Sequence, residues 1–247
     1  MLSRLRAPAL VAAAPVLLSL AGLTAFQDPQ SSIAPPPASF AILARDQVTG
    51  EYGVAAASNA PLIGMNLEFL DYRVGGVIVL GGPFLEVNQR TMIGMEDGLL
   101  PGRAITIGLY GDEEPESRQV IALSPNGAAA FTGKNLEAYA GDKVGNDFVI
   151  AGHRLAGPQV ILALEESFAT SEGPLADRLL AALEAGRDAG GEKDGVHSAA
   201  LLVVGPGAKF ATRDRLAELR IDYTPGDAVA ELVELRQQID SIYGVVR

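Results

Sequence analysis

The chain has 247 residues, no Cys, no Trp, two His and a formal net charge of −11. Without Cys, thiol nucleophiles, disulfides, thiolate zinc sites and Cys-ligated iron–sulfur clusters are excluded. The acidic excess repels nucleic acid and anionic membrane surfaces, so neither is an expected partner. With 48% apolar against 20% charged residues, the body is expected to be globular.

Residues 1–25 read as a secretory signal peptide. Arg4 and Arg6 form a basic start, an apolar stretch follows from Ala7 to Phe26, and Ser19-Leu20-Ala21 fits a small-x-small cleavage site. Prolines and modest length make this stretch a poor membrane span, so no stable span is expected after cleavage. No Cys follows it, which excludes a lipoprotein anchor. The expected location is secreted or periplasmic. Arg4 and Arg6 are the segment's only charges, so its loss takes the net charge to −13. Residues 26–38 form a linker, with Pro35 to Pro37 favouring stiff polyproline II. A single folded domain is expected over 39–247.

In chain order, Phe40–Ala44 and Tyr52–Ser58 flank the polar turn Asp46–Glu51 and predict a hairpin. Gly76–Leu80 is a third strand. Phe84–Glu96 predicts a helix with Leu85, Gln89, Met92 and Met95 on related faces, whereas Leu99–Tyr110 is ambiguous. The acidic run Asp112–Glu116 reads as a solvated loop. Gln119–Leu123 and Ala128–Thr132 flank Ser124-Pro125-Asn126-Gly127 and predict another hairpin. Phe148–Ala151 is a short strand. Two helices follow, Pro158 to Phe168 with Val160, Ile161, Leu164 and Phe168 as its stripe, and one opening at Pro174 with Leu175, Leu179, Leu180 and Leu183. Ser198–Val204 is a buried strand with Leu219–Tyr223 beside it. The last helix covers Asp227–Ile242, with Val229, Leu232, Val233, Leu235, Ile239 and Ile242 apolar. Hairpins in largely antiparallel sheets covered by helices predict an α+β or a layered αββα fold.

Several segments carry a resemblance. Ser39–Ser58 (SFAILARDQVTGEYGVAAAS), Phe131-Thr132-Gly133, Tyr139-Ala140-Gly141-Asp142, Ala151-Gly152-His153, EGPLADRLLAALEAG, HSAALLVV and the tail LRIDYTPGDAVAELVELR resemble, in order, the bacterial DUF1028 family. That family is assigned to the N-terminal nucleophile (Ntn) hydrolase superfamily. The resemblance implies a four-layer αββα sandwich and a nucleophile at the first residue of the processed chain. Ser39 falls at that position. A free α-amine with a pKa near 8 then serves as its base, so no His is required. Two readings of Ser39 stay open: nucleophile of an amide hydrolase after a cut at Ala38–Ser39, or simply the start of a strand after a proline linker in a non-catalytic ligand-binding or assembly protein.

Both His stand where the resembling family commonly carries amide side chains. His153 replaces an Asn and is a candidate donor to an oxyanion, and His197 replaces a Gln. Arg45 and Asp46 match the family's Ala-Arg-Asp and are candidate cleft residues. Ser58 and Asn59 end the second strand at a place that carries polar groups near the nucleophile in related enzymes. Thr132 and Asp142 complete the candidate binding set, and Asp222 matches an acidic family position. No spacing argues for a metal, no phosphate or dinucleotide motif is present, and no cofactor is expected. The expected partner is an unidentified small molecule or peptide, and homo-oligomer formation is left open.

Overall fold

A computed structural model describes residues 37–81, 85–207 and 214–243. The expected signal peptide, and the linker up to residue 36, lie outside the described residues. The body begins with β1 (Ser39–Arg45) and β2 (Tyr52–Ser58), the expected hairpin. A short 3-10 helix at Ile63–Glu68 leads to β3 (Leu70–Asp71) and β4 (Gly75–Leu80). Helices α1 (Leu85–Glu96) and α2 (Pro101–Leu109) follow, so the ambiguous stretch is helical, with Pro101 in its first turn. Then come β5 (Gln119–Ser124), β6 (Gly127–Thr132), β7 (Gly141–Val144) and β8 (Phe148–His153). Helices α3 (Gln159–Thr170) and α4 (Leu175–Asp188), strands β9 (Ser198–Val204) and β10 (Arg215–Ile221), and α5 (Ala228–Tyr243) complete it.

Among the described residues the strands form two antiparallel sheets. One has six strands in the order β10-β9-β2-β1-β8-β7, the other four in the order β3-β4-β5-β6. Three apolar cores separate the layers. Phe40, Ile42 and Ala44 face Leu164, Leu179 and Leu183 of α3 and α4. Ala41, Leu43 and Val54 face Ile78, Ile121 and Leu123 of the other sheet. Val77, Val79 and Val120 face Val87, Met92 and Ile105 of α1 and α2. The architecture is therefore an α+β sandwich with helices on both outer faces. Successive residues of β1 serve different cores because strand side chains alternate with period two. Fully burying Phe40 or Ile42 contributes about 1.5–3 kcal/mol each. The small residues of β2 let α4 approach closely: a Cβ at Gly53 would sit 2.4 Å from Leu179 Cδ1.

Several elements differ from expectation, each for a physical reason. Strand β7 was unmarked because an edge strand reading Gly-Asp-Lys-Val carries little apolar signal. β10 begins at Arg215 and stops at Ile221, short of Tyr223. It too is an edge strand, with Leu219 its one buried residue. In α1, Leu85 and Gln89 are exposed, and the buried face is Val87, Asn88, Thr91, Met92 and Met95. Polar Asn88 and Thr91 on that face hid the true stripe. In α5, Ile242 is exposed, and buried Arg236 interrupts the stripe, paired with Asp177 and Asp240. Asp112 is not solvated as expected. Its carboxylate is buried against Arg118 at 3.0 Å.

The α1–α2 contact depends on the absence of a side chain at Gly108, where a Cβ would lie 2.0 Å from Thr91 Oγ1 and 2.9 Å from the Val87 carbonyl. Helix propensity alone favours Ala over Gly by about 1 kcal/mol. Overpacking against backbone outweighs it, so Gly108→Ala is expected to destabilise by about 1–3 kcal/mol in urea unfolding. Gly102→Ala, with Ala129 Cβ at an ordinary 3.6 Å, is expected to be neutral or stabilising by less than about 1 kcal/mol.

Candidate functional site

Strand alternation puts Ser39 on the same face as Ala41 and Leu43, toward the four-stranded sheet. Register carries the row outward. Ser39 lies opposite Ser58 on β2 and His153 on β8, and Ser58 lies opposite Ser198 on β9. Residues directly opposite share a face. A buried row Ser198, Ser58, Ser39, His153 thus crosses four adjacent strands at one end of the sandwich.

The row grips the peptide unit that precedes Ser39. Ser58 Oγ donates to the Ala38 carbonyl at 2.6 Å and accepts the Ala60 N–H at 3.1 Å. Ser39 Oγ lies 2.6 Å from that carbonyl oxygen and 3.2 Å from Ser58 Oγ. A hydroxyl carries one proton, so Ser39 donates to one of these at a time. The Ala38 N–H donates to Asn59 Oδ1 at 2.7 Å, and the Asn59 N–H donates to Glu192 Oε2 at 2.7 Å. His153 Nε2 lies 3.0 Å from the Pro37 carbonyl oxygen. A carbonyl only accepts, so this nitrogen carries the proton, and Nδ1 is left as a buried acceptor without a partner. Burial holds the His153 pKa below the ordinary imidazole value, against the raising effect of the Pro37 bond. A neutral ring that donates through Nε2 is consistent with both.

Sequence reasoning missed three residues here. Ser198 completes the row, and its hydroxyl donates to the Ala60 carbonyl at 2.6 Å. Glu192 is 5% exposed, and its Oε1 has no hydrogen-bond partner. Burial pushes its pKa well above the usual carboxylate range, offset in part by the Asn59 N–H. In the sequence it stands in a charged Gly-Gly-Glu-Lys-Asp stretch that reads as a surface loop, so no local signal marks it. Gln119, buried at the start of β5, donates through Nε2 to Thr132 Oγ1 at 3.0 Å, to the Gly141 carbonyl at 3.0 Å and to the Gly152 carbonyl at 3.2 Å. Its place at the start of an alternating strand, facing inward with Ile121 and Leu123, was a signal that could have found it.

The structure therefore brings Ser39, Ser58, Asn59 and His153 together. Thr132 and Asp142 join from the facing sheet and the edge strand: the Thr132 hydroxyl donates to Asp142, and Gln119 links both to the residue before His153. His197 is adjacent through its backbone, donating N–H to the Ser58 carbonyl at 2.8 Å, but its ring is bonded to the Thr224 carbonyl and lies beside Tyr223. Arg45 and Asp46 are not in this group. They sit at the other end of β1, about 20 Å away along a seven-residue strand. Arg45 pairs with Asp147 at 3.0 Å. Asp46 pairs with Arg178 at 3.4 Å and caps the hairpin turn through the Val48 and Thr49 N–H groups. Asp46 also lines a separate cavity of about 250 Å³ with Thr49, Glu51 and Pro174. Asp222 pairs with Arg220 at 2.9 Å. Among the described residues no cluster of three or more His, Asp or Glu is placed to hold a metal ion, and no helix is long and apolar enough to cross a membrane.

Glu192 gives a pH prediction with a definite sign. Its folded pKa is raised, so its contribution to stability is full below the unfolded value of 4.5 and is lost as pH rises through the folded value. Wild type is expected to lose stability as pH rises above 4.5 in urea unfolding, and Glu192→Gln is expected to flatten that loss. Equal slopes for the two proteins would show that Glu192 is ionised in the fold.

The model of the family of unknown function DUF1028 matches residues 39–232. The crystal structure of a protein from Silicibacter pomeroyi, of the same family, is 32% identical, with a TM-score of 0.74 over 82% of this chain and 86% of that one. A search of curated proteins finds no match. The matched stretch opens at Ser39, the residue at the centre of the polar row, and the chain belongs to the DUF1028 family.

Proposed function

We propose that this chain is an amide hydrolase of the Ntn type, exported by its N-terminal 25 residues and active from Ser39 once the Ala38–Ser39 bond is cut. The observation that carries the reading is the pair of serine hydroxyls on one carbonyl: Ser39 Oγ and Ser58 Oγ both lie 2.6 Å from the Ala38 oxygen. In the cut, Ser39 Oγ bonds to the Ala38 carbonyl carbon. The Ser58 hydroxyl stabilises the oxyanion, as a donor preplaced where negative charge develops. The C–N bond breaks, the Ser39 nitrogen takes up the proton as an amine, and water hydrolyses the resulting ester. The released Ala38 carboxylate leaves Ser39 with a free hydroxyl and a free amine.

In turnover, that amine accepts the Ser39 hydroxyl proton as Ser39 Oγ bonds to the carbonyl carbon of an amide substrate, and passes the proton to the leaving nitrogen. Water then cleaves the ester and restores Ser39. His153 acts in this scheme as a neutral donor to substrate rather than as a base, because its protonated nitrogen already faces a carbonyl and its pKa is lowered. A second reading, a non-catalytic ligand-binding or assembly protein, draws on the uncut chain, in which the Ser39 nitrogen is an amide without basicity.

Intact mass and N-terminal sequencing of the exported protein separate the two. The hydrolase reading expects a chain beginning at Ser39. It expects Ser39→Ala to abolish the cut and Ser58→Ala to slow it about 100-fold, the usual cost of losing one oxyanion donor. Undiminished amide hydrolysis by a chain that begins near residue 22 or 26 would overturn it.

A further inference from the structure

We infer that the substrate is an N-acylated small amino acid amide, an alanyl or glycyl peptide cut on the carbonyl side of that residue, because the chain's own Pro37–Ala38 already occupies the acyl position. This rests on the hydrolase reading above and deepens it. The ester formed when Ser39 Oγ attacks Ala38 is chemically the acyl-enzyme that an external Pro-Ala amide would form. In both, Ser39 Oγ is bonded to an alanyl carbonyl carbon and the former amide nitrogen holds the transferred proton, staying on the chain as Ser39's own α-amine after the cut and leaving as the product amine in turnover, and water completes the hydrolysis. The contacts made by Pro37 and Ala38 therefore describe what the site asks of an acyl group.

Three features are recognised. The Ala38 carbonyl accepts from Ser58, as any amide substrate's must. The Ala38 N–H donates to Asn59 Oδ1 at 2.7 Å, and Asn59 is itself fixed by buried Glu192. That bond selects an α-amido acyl group over a plain carboxylic acyl chain. The carbonyl of the preceding residue accepts from His153 Nε2 at 3.0 Å, so the α-nitrogen must itself be acylated. Size is set by burial. Ala38 is 0% exposed, a site with no open side for a longer side chain. Pro37, by contrast, is exposed, so only its carbonyl is read and its side chain is not.

Two measurements test this. In the full-length chain, Ala38→Gly is expected to be cut at close to the wild-type rate, and Ala38→Leu at least about tenfold more slowly, since added methylenes overpack an enclosed position. With the processed protein, kcat/KM for the 4-nitroanilide of acetyl-Pro-Ala is expected to exceed that for acetyl-Pro-Leu by about 10–100-fold. It should exceed that for acetyl-Pro-(N-methyl)Ala, which lacks the N–H offered to Asn59, by about tenfold. The outcomes are distinguishable. Cleavage and turnover that do not discriminate between Ala and Leu overturn the substrate assignment and leave the hydrolase standing. Absence of both self-cleavage and turnover on every anilide overturns the two together.

Discussion

β1 is hydrogen-bonded along both edges and packed on both faces. It pairs with β2 and β8, and its side chains alternate between the helix-facing core and the core between the sheets. That double constraint leaves the strand no freedom of register, because a slip of one residue would exchange the two cores. Every feature of the candidate site inherits this. Ser39 meets Ser58 and His153 because the pairing that buries Phe40, Ile42 and Leu43 also fixes what lies opposite residue 39. The polar row ends a strand whose apolar residues hold its position.

Polar groups in such a place are costly unless satisfied, and most here are. Ser58 and Ser198 each donate and accept, and Asn59 accepts through Oδ1 and donates through its backbone N–H. The exceptions are His153 Nδ1, Gln119 Oε1 and Glu192 Oε1, three acceptors without partners around one sheet end. The orphan acceptors of His153 and Glu192 belong to residues whose bonded atoms reach, directly or through Asn59, the peptide before Ser39. Among the described residues, buried polar atoms without partners also occur at Asn88 and Thr91 on α1 and at the Nε of Arg45, Arg154 and Arg178. The far end of β1 is charged. There Arg45, Asp46, Asp147 and Arg178 form ion pairs that tie the hairpin turn to β8 and α4.

Much of the fold was legible in the residues. The alternation in Ser39–Ser58, the Ser-Pro-Asn-Gly turn and the leucine stripes of α3 and α4 are local signals, since one period or one turn type decides them. Leu219 beside Ser198–Val204 was read, but the first half of β10, edge strand β7 and the polar face of α1 were not legible, because their side chains answer to neighbours distant in sequence. For the site, the motif resemblance named Ser39, Ser58, Asn59 and His153. It also grouped with them Arg45 and Asp46, which the 3.3 Å rise per strand residue already places at the wrong end.

The sequence by itself determined the strand on which Ser39 begins, the face it shares with Ala41 and Leu43, and the absence of thiol chemistry, because these follow from residue types and period two. Only the tertiary structure decided that residue 153 lies across from residue 39, that Ser198 extends the row, and that Glu192 stands buried behind Asn59. Pairing over more than a hundred residues is set by how three cores fill at once, and the burial of a carboxylate by what closes over it. Neither quantity is a property of a local stretch of chain.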